Sequence, residues 1–130
     1  MKQIRTFLMF EGKAEEAIRL YTSLFEDSEV ISIERYDESG PGAAGSVKQS
    51  VFALGGREYM AIDSPVKHEF TFTPAISLFV ECESNAELER LFGELSQGGS
   101  VLMPLDSYGF SQRFGWLADR YGVSWQLNLP

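Results

Sequence analysis

Gly115-Trp116-Leu117-Ala118-Asp119-Arg120-Tyr121-Gly122-Val123-Ser124-Trp125-Gln126-Leu127-Asn128-Leu129 is the stretch from which the fold can be worked out. It holds two apolar runs on either side of a polar Asp-Arg-Tyr-Gly segment, which is typical of a tight turn. This pattern predicts a β-hairpin with strands over 113–118 and 123–129. Alternation along the second strand places Trp125 and Gln126 on opposite faces, with Trp125 expected in the core.

The sequence before this hairpin predicts a strand, a helix and a further strand. An apolar run over 75–80 is typical of a strand, and Ser84-Asn85-Ala86-Glu87 matches a capping box at the start of a helix. Gly98-Gly99 ends that helix, and 100–105 forms a short strand before a polar loop over 106–112. The apolar positions of the helix follow helical spacing: Leu88, Leu91, Phe92 and Leu95.

The first half of the chain follows the same order. A strand over 4–10 leads into an amphipathic helix over 14–25, and a second strand covers 30–36. Residues 37–46 are rich in turn-forming residues, which predicts an exposed, mobile loop. Gly55-Gly56 then joins strands over 47–54 and 58–62, because adjacent glycines suit the positive φ angles of a hairpin turn.

The two halves therefore look like copies of one unit. At an offset of about 70 residues, Glu16, Arg19 and Tyr21 meet Glu87, Arg90 and Phe92. We expect a single α+β domain over 1–130, with module 1 over about 1–64, a linker over about 65–74 and module 2 over about 75–130. Each βαβββ module should form a curved mixed sheet with its helix on the convex side, leaving the concave side free to hold a ligand.

Charge and composition narrow the possible partners. The chain has 130 residues and a net charge of −8, which disfavours phosphate backbones and anionic lipids, so we expect no nucleic acid and no membrane partner. The single cysteine, Cys82, cannot form an intrachain disulfide, and no leader pattern is visible at the amino terminus. These features predict a cytoplasmic protein.

Several segments together resemble the PhnB-like group of the glyoxalase/bleomycin resistance, or vicinal oxygen chelate, superfamily. That group is also labelled 3-demethylubiquinone-9 3-methyltransferase-like. The resemblance implies two βαβββ modules and a homodimer. It covers almost the whole chain and is carried by Arg5-Thr6-Phe7-Leu8-Met9-Phe10-Glu11-Gly12, Phe52-Ala53-Leu54-Gly55-Gly56-Arg57-Glu58-Tyr59-Met60-Ala61-Ile62-Asp63, Ile76-Ser77-Leu78-Phe79-Val80 and Gly115 to Gln126.

Metal-dependent members of this superfamily place His, Gln or Glu at four strand positions. The resemblance puts Arg5, either Asp63 or Ala61, Ala75 and Gln126 at those positions. Because arginine has no available lone pair and alanine has no donor atom, only Asp63 and Gln126 remain as possible ligands. We therefore expect no metal and no cofactor.

The residues expected on the concave side are mainly apolar with a few polar points, which suits a small, partly apolar ligand. Arg5 is expected opposite Asp63. The resulting hypothesis is metal-independent binding or sequestration of a small molecule. The alternatives are a metal-dependent lyase, isomerase or dioxygenase, or a 3-demethylubiquinone methyltransferase-like transferase, so catalysis stays open. The candidate ligand-binding residues are Arg5, Phe7, Met9, Asp63, Ser77, Phe79, Trp116 and Gln126.

Three other side chains have simpler interpretations. His68 is the only histidine and is expected to be an isolated surface residue. Glu81 and Glu83 flank Cys82, so their negative charge should raise the thiol pKa and leave the cysteine unreactive. Glu15 and Arg19 stand four apart on the polar side of the first helix, a spacing that suits an ion pair.

Overall fold

The computed structural model describes residues 1–130 and divides into two compact units, Met1–His68 and Glu69–Pro130. The boundary between the units lies within the predicted linker. The prediction that both units form one domain stays a prediction. The first unit contains β1 (Thr6–Phe10), α1 (Ala14–Leu24), β2 (Glu29–Arg35), β3 (Val47–Leu54) and β4 (Arg57–Asp63). The second contains β5 (Leu78–Glu81), α2 (Asn85–Ser96), β6 (Ser100–Asp106), β7 (Arg113–Ala118) and β8 (Ser124–Leu129).

Each unit forms its own four-stranded mixed sheet. The strand orders are β1-β4-β3-β2 and β5-β8-β7-β6. In each sheet one pair is parallel, β1 with β4 and β5 with β8, and the remaining pairs are antiparallel. The predicted α+β fold with two βαβββ modules is therefore confirmed. Neither helix is long and apolar enough to cross a bilayer.

The first sheet has one face packed against α1. Ala61 and Phe52 are fully buried there, against a helix face whose apolar residues are also buried. Strand alternation places Phe7, Met9 and Met60 on the opposite side, and Phe7 is 52% exposed. We call this side, away from α1, the open face of the first sheet.

The second sheet packs in the same way against α2. Leu117, Trp125 and Leu127 are buried, and the helix contributes Leu88, Leu91 and Leu95. Gly115 lies under the helix, where an added Cβ would come within 2.5 Å of Phe92 Cε2. A side chain at this position would therefore separate the helix from the sheet. The side of this sheet away from α2 is its open face.

The local turn signals were informative. Gly55 and Gly56 have φ angles of 58° and 80°, so the predicted hairpin is confirmed. Ser84 Oγ accepts a hydrogen bond from Glu87 N at 3.1 Å, as expected for the helix cap. The Glu87 carboxylate accepts from Glu83 N, one residue before the cap.

The start of one predicted strand and the exposure of one predicted loop need correction. The expected strand over 75–80 begins only at Leu78. Its partner β8 begins at Ser124 because the backbone N–H and C=O of Val123 bond to Asp119 in the turn, so no ladder partner exists further upstream. The loop over 37–46 is not exposed throughout, because Gly42 is buried against the Tyr36 ring. A Cβ at this position would lie 2.4 Å from the ring carbons.

Candidate ligand-binding site

Four of the predicted residues lie on the open face of the second sheet or beside it. Phe79 is opposite Gln126 in the β5 and β8 ladder, and Trp116 is opposite Gln126 in the β7 and β8 ladder. Residues opposite each other in a ladder point to the same side of the sheet. Phe79, Gln126 and Trp116 therefore form a row across three strands, and Ser77 lies just before β5.

A buried hydroxyl connects the polar members of this row. Ser124 Oγ accepts a hydrogen bond from Trp116 Nε1 at 2.8 Å and lies 2.7 Å from Ser77 Oγ. Gln126 Nε2 donates to Ser77 Oγ at 3.2 Å. We call Ser77, Trp116, Ser124 and Gln126 the serine cluster. Ser124 was not predicted, although its alternation with Gln126 on the same strand was a usable signal.

Aromatic rings continue this surface toward the 107–112 loop. Phe79 is 53% exposed, and its ring lies 6.4 Å from that of Phe114. Phe110 packs edge-on against Phe114 at 5.1 Å, and Tyr108 approaches the same ring at 6.1 Å. The open face of the second sheet thus places hydrogen-bonding groups beside an aromatic surface.

The open face of the first sheet carries Phe7 and Met9. They lie opposite Met60 and Ile62 on β4, which makes this part of the face apolar. Arg5 Nη1 lies 3.3 Å from Glu58 Oε1, and both side chains are partly exposed. Glu58 is therefore the carboxylate that Arg5 meets on this face, and the sequence interpretation missed it.

The predicted pairing of Arg5 with Asp63 is wrong. Asp63 faces α1 and is 3% exposed, and its carboxylate accepts hydrogen bonds from Gly12 N at 2.8 Å, Ala14 N at 2.9 Å and Val47 N at 3.0 Å. These bonds fix the start of α1 and the start of β3. The physical reason is strand alternation, since Asp63 has the opposite parity to Glu58, Met60 and Ile62.

A separate surface pocket of about 250 Å³ opens beside Asp63 within the first unit. It is lined by residues 11–12, 43, 46 and 63–67. Both oxygens of Asp63 already accept backbone hydrogen bonds, so this carboxylate is held as a structural group at the edge of the pocket.

The side chains of the predicted metal positions do not suit a divalent ion. Asp63 is held by backbone amides on the helix side of the first sheet, Ala61 and Ala75 carry no donor atom, and Gln126 offers only a neutral amide oxygen. The structure has no group of three His, Cys, Asp or Glu side chains arranged to hold a metal ion. A catalytic zinc site typically takes three protein ligands, so this donor set does not fit one.

Two other titratable residues lie away from the open faces. His68 is half-buried, and its Nε2 lies 2.9 Å from Ser64 Oγ, so the expectation of an isolated surface histidine was wrong. Burial raises the pKa of the Cys82 thiol to about 11, and the charges of Glu87 and Glu81 add to this effect. The predicted direction is confirmed, with burial as the larger cause.

The polar side of α1 carries a small ion-pair network. Glu15 pairs with Arg19 at 3.1 Å as predicted, and Arg35 of β2 also donates two hydrogen bonds to it. The Arg35 guanidinium is the main cause that lowers the pKa of Glu15 to about 2. The network links the helix to the edge strand of the first sheet.

Comparison with known proteins places the chain in a family. The sequence model of the 3-demethylubiquinone-9 3-methyltransferase family matches residues 2–128. The chain belongs to this family. The PhnB protein from Bacillus cereus shares 60% sequence identity and a TM-score of 0.97 with it, covering 99% of this chain and 100% of that one. The predicted PhnB-like group is thereby confirmed.

More distant structures extend the fold comparison. Protein PA1353 from Pseudomonas aeruginosa is 29% identical with a TM-score of 0.83, covering 99% of this chain and 98% of that one. A glyoxalase-related enzyme from Fulvimarina pelagi is 12% identical with a TM-score of 0.64, covering 100% of this chain and 89% of that one. The second comparison concerns the glyoxalase fold alone. No curated protein matches the sequence.

Proposed function

We propose that this protein binds a small, partly apolar molecule on the open face of the second sheet, without a metal ion. The observation that carries the proposal is the serine cluster beside the exposed Phe79 ring. Ligand sites commonly combine apolar walls with a few positioned polar groups. Ser77 and Gln126 supply the polar groups here, and Phe79 and Trp116 supply aromatic surface.

The chemistry of the donors supports a metal-independent role. Gln126 is an amide with one oxygen to offer, and its neighbours in the serine cluster are two hydroxyls and an indole. Neutral hydroxyl and amide groups orient a ligand by hydrogen bonds, whereas tight divalent sites use histidine, thiolate or carboxylate ligands.

Methyl transfer, which the family name describes, is not part of the proposal. Doubly wound cofactor-binding folds place a glycine-rich turn after the first strand of a mostly parallel sheet. Here each sheet contains only one parallel pair, and the turn after β1 contains the single glycine Gly12. Binding or sequestration of a small molecule requires neither feature.

We also propose that the open face of the first sheet is a ligand-contacting surface of its own. Phe7 is exposed and Met9 is half-buried on this face, and the ion pair between Arg5 and Glu58 adds charged groups beside them. Asp63 is left out of this role because its carboxylate is buried on the other side.

A thermal-shift screen tests the proposal. The protein in EDTA is screened against neutral, cationic and anionic small aromatic compounds, and we expect at least one compound to raise the unfolding temperature. The increase should be lost in Phe79→Ala and kept in Val101→Ala, since Val101 is also exposed, at 48%, but lies on β6. Stabilisation that appears only with an added divalent ion would refute the proposal.

The homodimer and the cytoplasmic location are proposals that rest on the family resemblance and the composition. Light scattering of the purified protein should give about twice the 14.6 kDa chain mass. A monomer mass at micromolar concentration would contradict the dimer.

A further inference from the structure

The hydrogen atoms of the serine cluster can be assigned from its geometry. Ser124 is only 2% exposed, and its Oγ accepts from Trp116 Nε1, which can only donate. The hydroxyl hydrogen of Ser124 also needs an acceptor, since an unpaired buried donor is costly. Ser77 Oγ, 2.7 Å away, is the partner that the structure gives it. Ser124 is therefore the donor in this pair.

This assignment determines what Ser77 offers to a ligand. Its oxygen accepts from both Ser124 Oγ and Gln126 Nε2, which uses both lone pairs. Its own hydrogen is then directed away from these two partners. Because Ser77 is only half-buried, that hydrogen is available to an acceptor on a bound molecule.

Gln126 offers the complementary group. Its amide nitrogen donates one of its two hydrogens to Ser77, and its amide oxygen is left as an acceptor beside that serine. The cluster thus presents one O–H donor and one C=O acceptor next to each other. The Phe79 ring lies opposite Gln126 in the ladder and offers an apolar surface next to them.

The charges near this face disfavour an anion. Arg113 is the only Lys or Arg on the four strands of this sheet, and it pairs with Glu89 of α2 at 2.6 Å. On the open face, β5 carries the Glu81 carboxylate, two residues beyond Phe79. A negatively charged ligand would therefore meet a like charge and the Gln126 oxygen, without a compensating cation.

We propose that this face selects an uncharged aromatic molecule with a hydrogen-bond acceptor and a donor side by side, as in a primary carboxamide. This inference rests on the proposed function and specifies its ligand class. The carbonyl oxygen would accept from Ser77 Oγ, and the amide N–H would donate to Gln126 Oε1. The ring would pack on Phe79. A carboxylate of the same shape lacks the donor and is disfavoured, because a site built for a donor discriminates against a group without one.

Benzamide, benzoate and toluene test this selection because they share one ring and differ at one substituent. The two indole N–H signals of nitrogen-labelled protein are followed by NMR during titration. Trp116 reports on the cluster, and Trp125 serves as an internal control because its Nε1 donates to buried Asp119. We expect benzamide to shift the Trp116 signal with an affinity at least about ten-fold above that of benzoate.

Substitutions separate this inference from general binding. Ser77→Ala should weaken benzamide about five-fold, with toluene unchanged, and Ser100→Ala on exposed β6 should have no effect. Should Ser77→Ala unfold, Gln126→Leu removes the acceptor and should cause a similar loss. Equal or tighter binding of benzoate, or benzamide binding that is insensitive to both substitutions, would overturn the inference. The proposed function would still stand in that case if toluene shifts the Trp116 signal. A Trp116 signal that no probe shifts would contradict both.

Discussion

Replacement of Asp63 by asparagine should destabilise the first unit because one side chain holds three backbone amides. Asp63 Oδ1 accepts from Gly12 N and Ala14 N, and Oδ2 accepts from Val47 N. Asparagine keeps one acceptor oxygen and places an NH2 group where the other oxygen was. Whichever way the amide turns, at least one backbone N–H then faces a donor in a site that is 3% exposed.

The size of the effect follows from these bonds. A hydrogen bond to a charged acceptor contributes about 1.5 to 3 kcal/mol, and an unsatisfied buried donor costs about 1 to 3 kcal/mol. Asp63→Asn should therefore lower the free energy of unfolding by about 2 to 4 kcal/mol. For a chain of this size, each kcal/mol corresponds to a midpoint shift of about 4 °C, giving a fall of about 8 to 16 °C.

Thermal and urea unfolding of the variant measure this loss. Asp106→Asn is the matched control because Asp106 is exposed at the end of β6, and its midpoint should stay within about 2 °C of the parent. Ligand binding by Asp63→Asn at a temperature where it is folded should equal that of the parent. A midpoint close to that of the control would refute the structural role of Asp63.

Three further predictions concern other sites. Gly99→Ala should destabilise by about 2 kcal/mol or more, because the new Cβ would lie 2.1 Å from a backbone carbonyl oxygen of β7. Gly93 lies within α2 with open space around it, so Gly93→Ala should instead stabilise the protein by up to about 1 kcal/mol. Urea unfolding measures both variants, and the opposite order of stability would contradict the packing described for these glycines. The thiol of Cys82, with its pKa raised to about 11, should resist iodoacetamide at pH 8 in the folded protein and react in urea, so rapid labelling without urea would be the contrary result. The pKa of Glu15 is lowered from 4.5 to about 2, mainly by Arg35, so its stabilisation is present above pH 4.5 and is lost as the pH falls toward 2. Glu15→Gln should therefore cost less than about 1 kcal/mol at pH 7 and nothing near pH 2, whereas an equal cost at both pH values would argue against the ion pair.

Features set by short stretches of sequence were predictable. Gly55-Gly56 specified a hairpin because both residues need positive φ, and Ser84 to Glu87 specified a helix start because its side chains satisfy free amides. The parity of Trp125 also placed it correctly in the core, where it is 1% exposed. These signals depend on a few neighbouring residues and require no knowledge of the strand pairing.

Features that depend on the ladder register were harder to predict. The orientation of Asp63 follows from its parity with Ala61, yet the sequence interpretation placed it opposite Arg5 among the concave-side residues. Glu58 had the right parity but lies at the other end of β4, and only the pairing with β1 brings it to Arg5. Charged residues that meet across strands cannot be paired from alternation along one strand.

The serine cluster illustrates the same limit. Ser77 and Gln126 were expected on one face, and Ser124 shares that face by alternation with Gln126, but its hydrogen bonds to Ser77 and Trp116 depend on the register of three strands. The turn before β8 depends on the buried Asp119 carboxylate, which accepts from the backbone amides of Tyr121 and Val123. The contacts of this turn join residues that strand alternation does not relate, so the strand pattern alone did not predict them.

A crystal structure with the best compound of the thermal-shift screen, grown in EDTA, tests the central claim most directly. We predict that the compound lies against the Phe79 ring with a polar atom within hydrogen-bond distance of Ser77 Oγ. A compound seated instead in the pocket beside Asp63, or held through a divalent ion on Glu58, would contradict metal-independent binding on the open face of the second sheet.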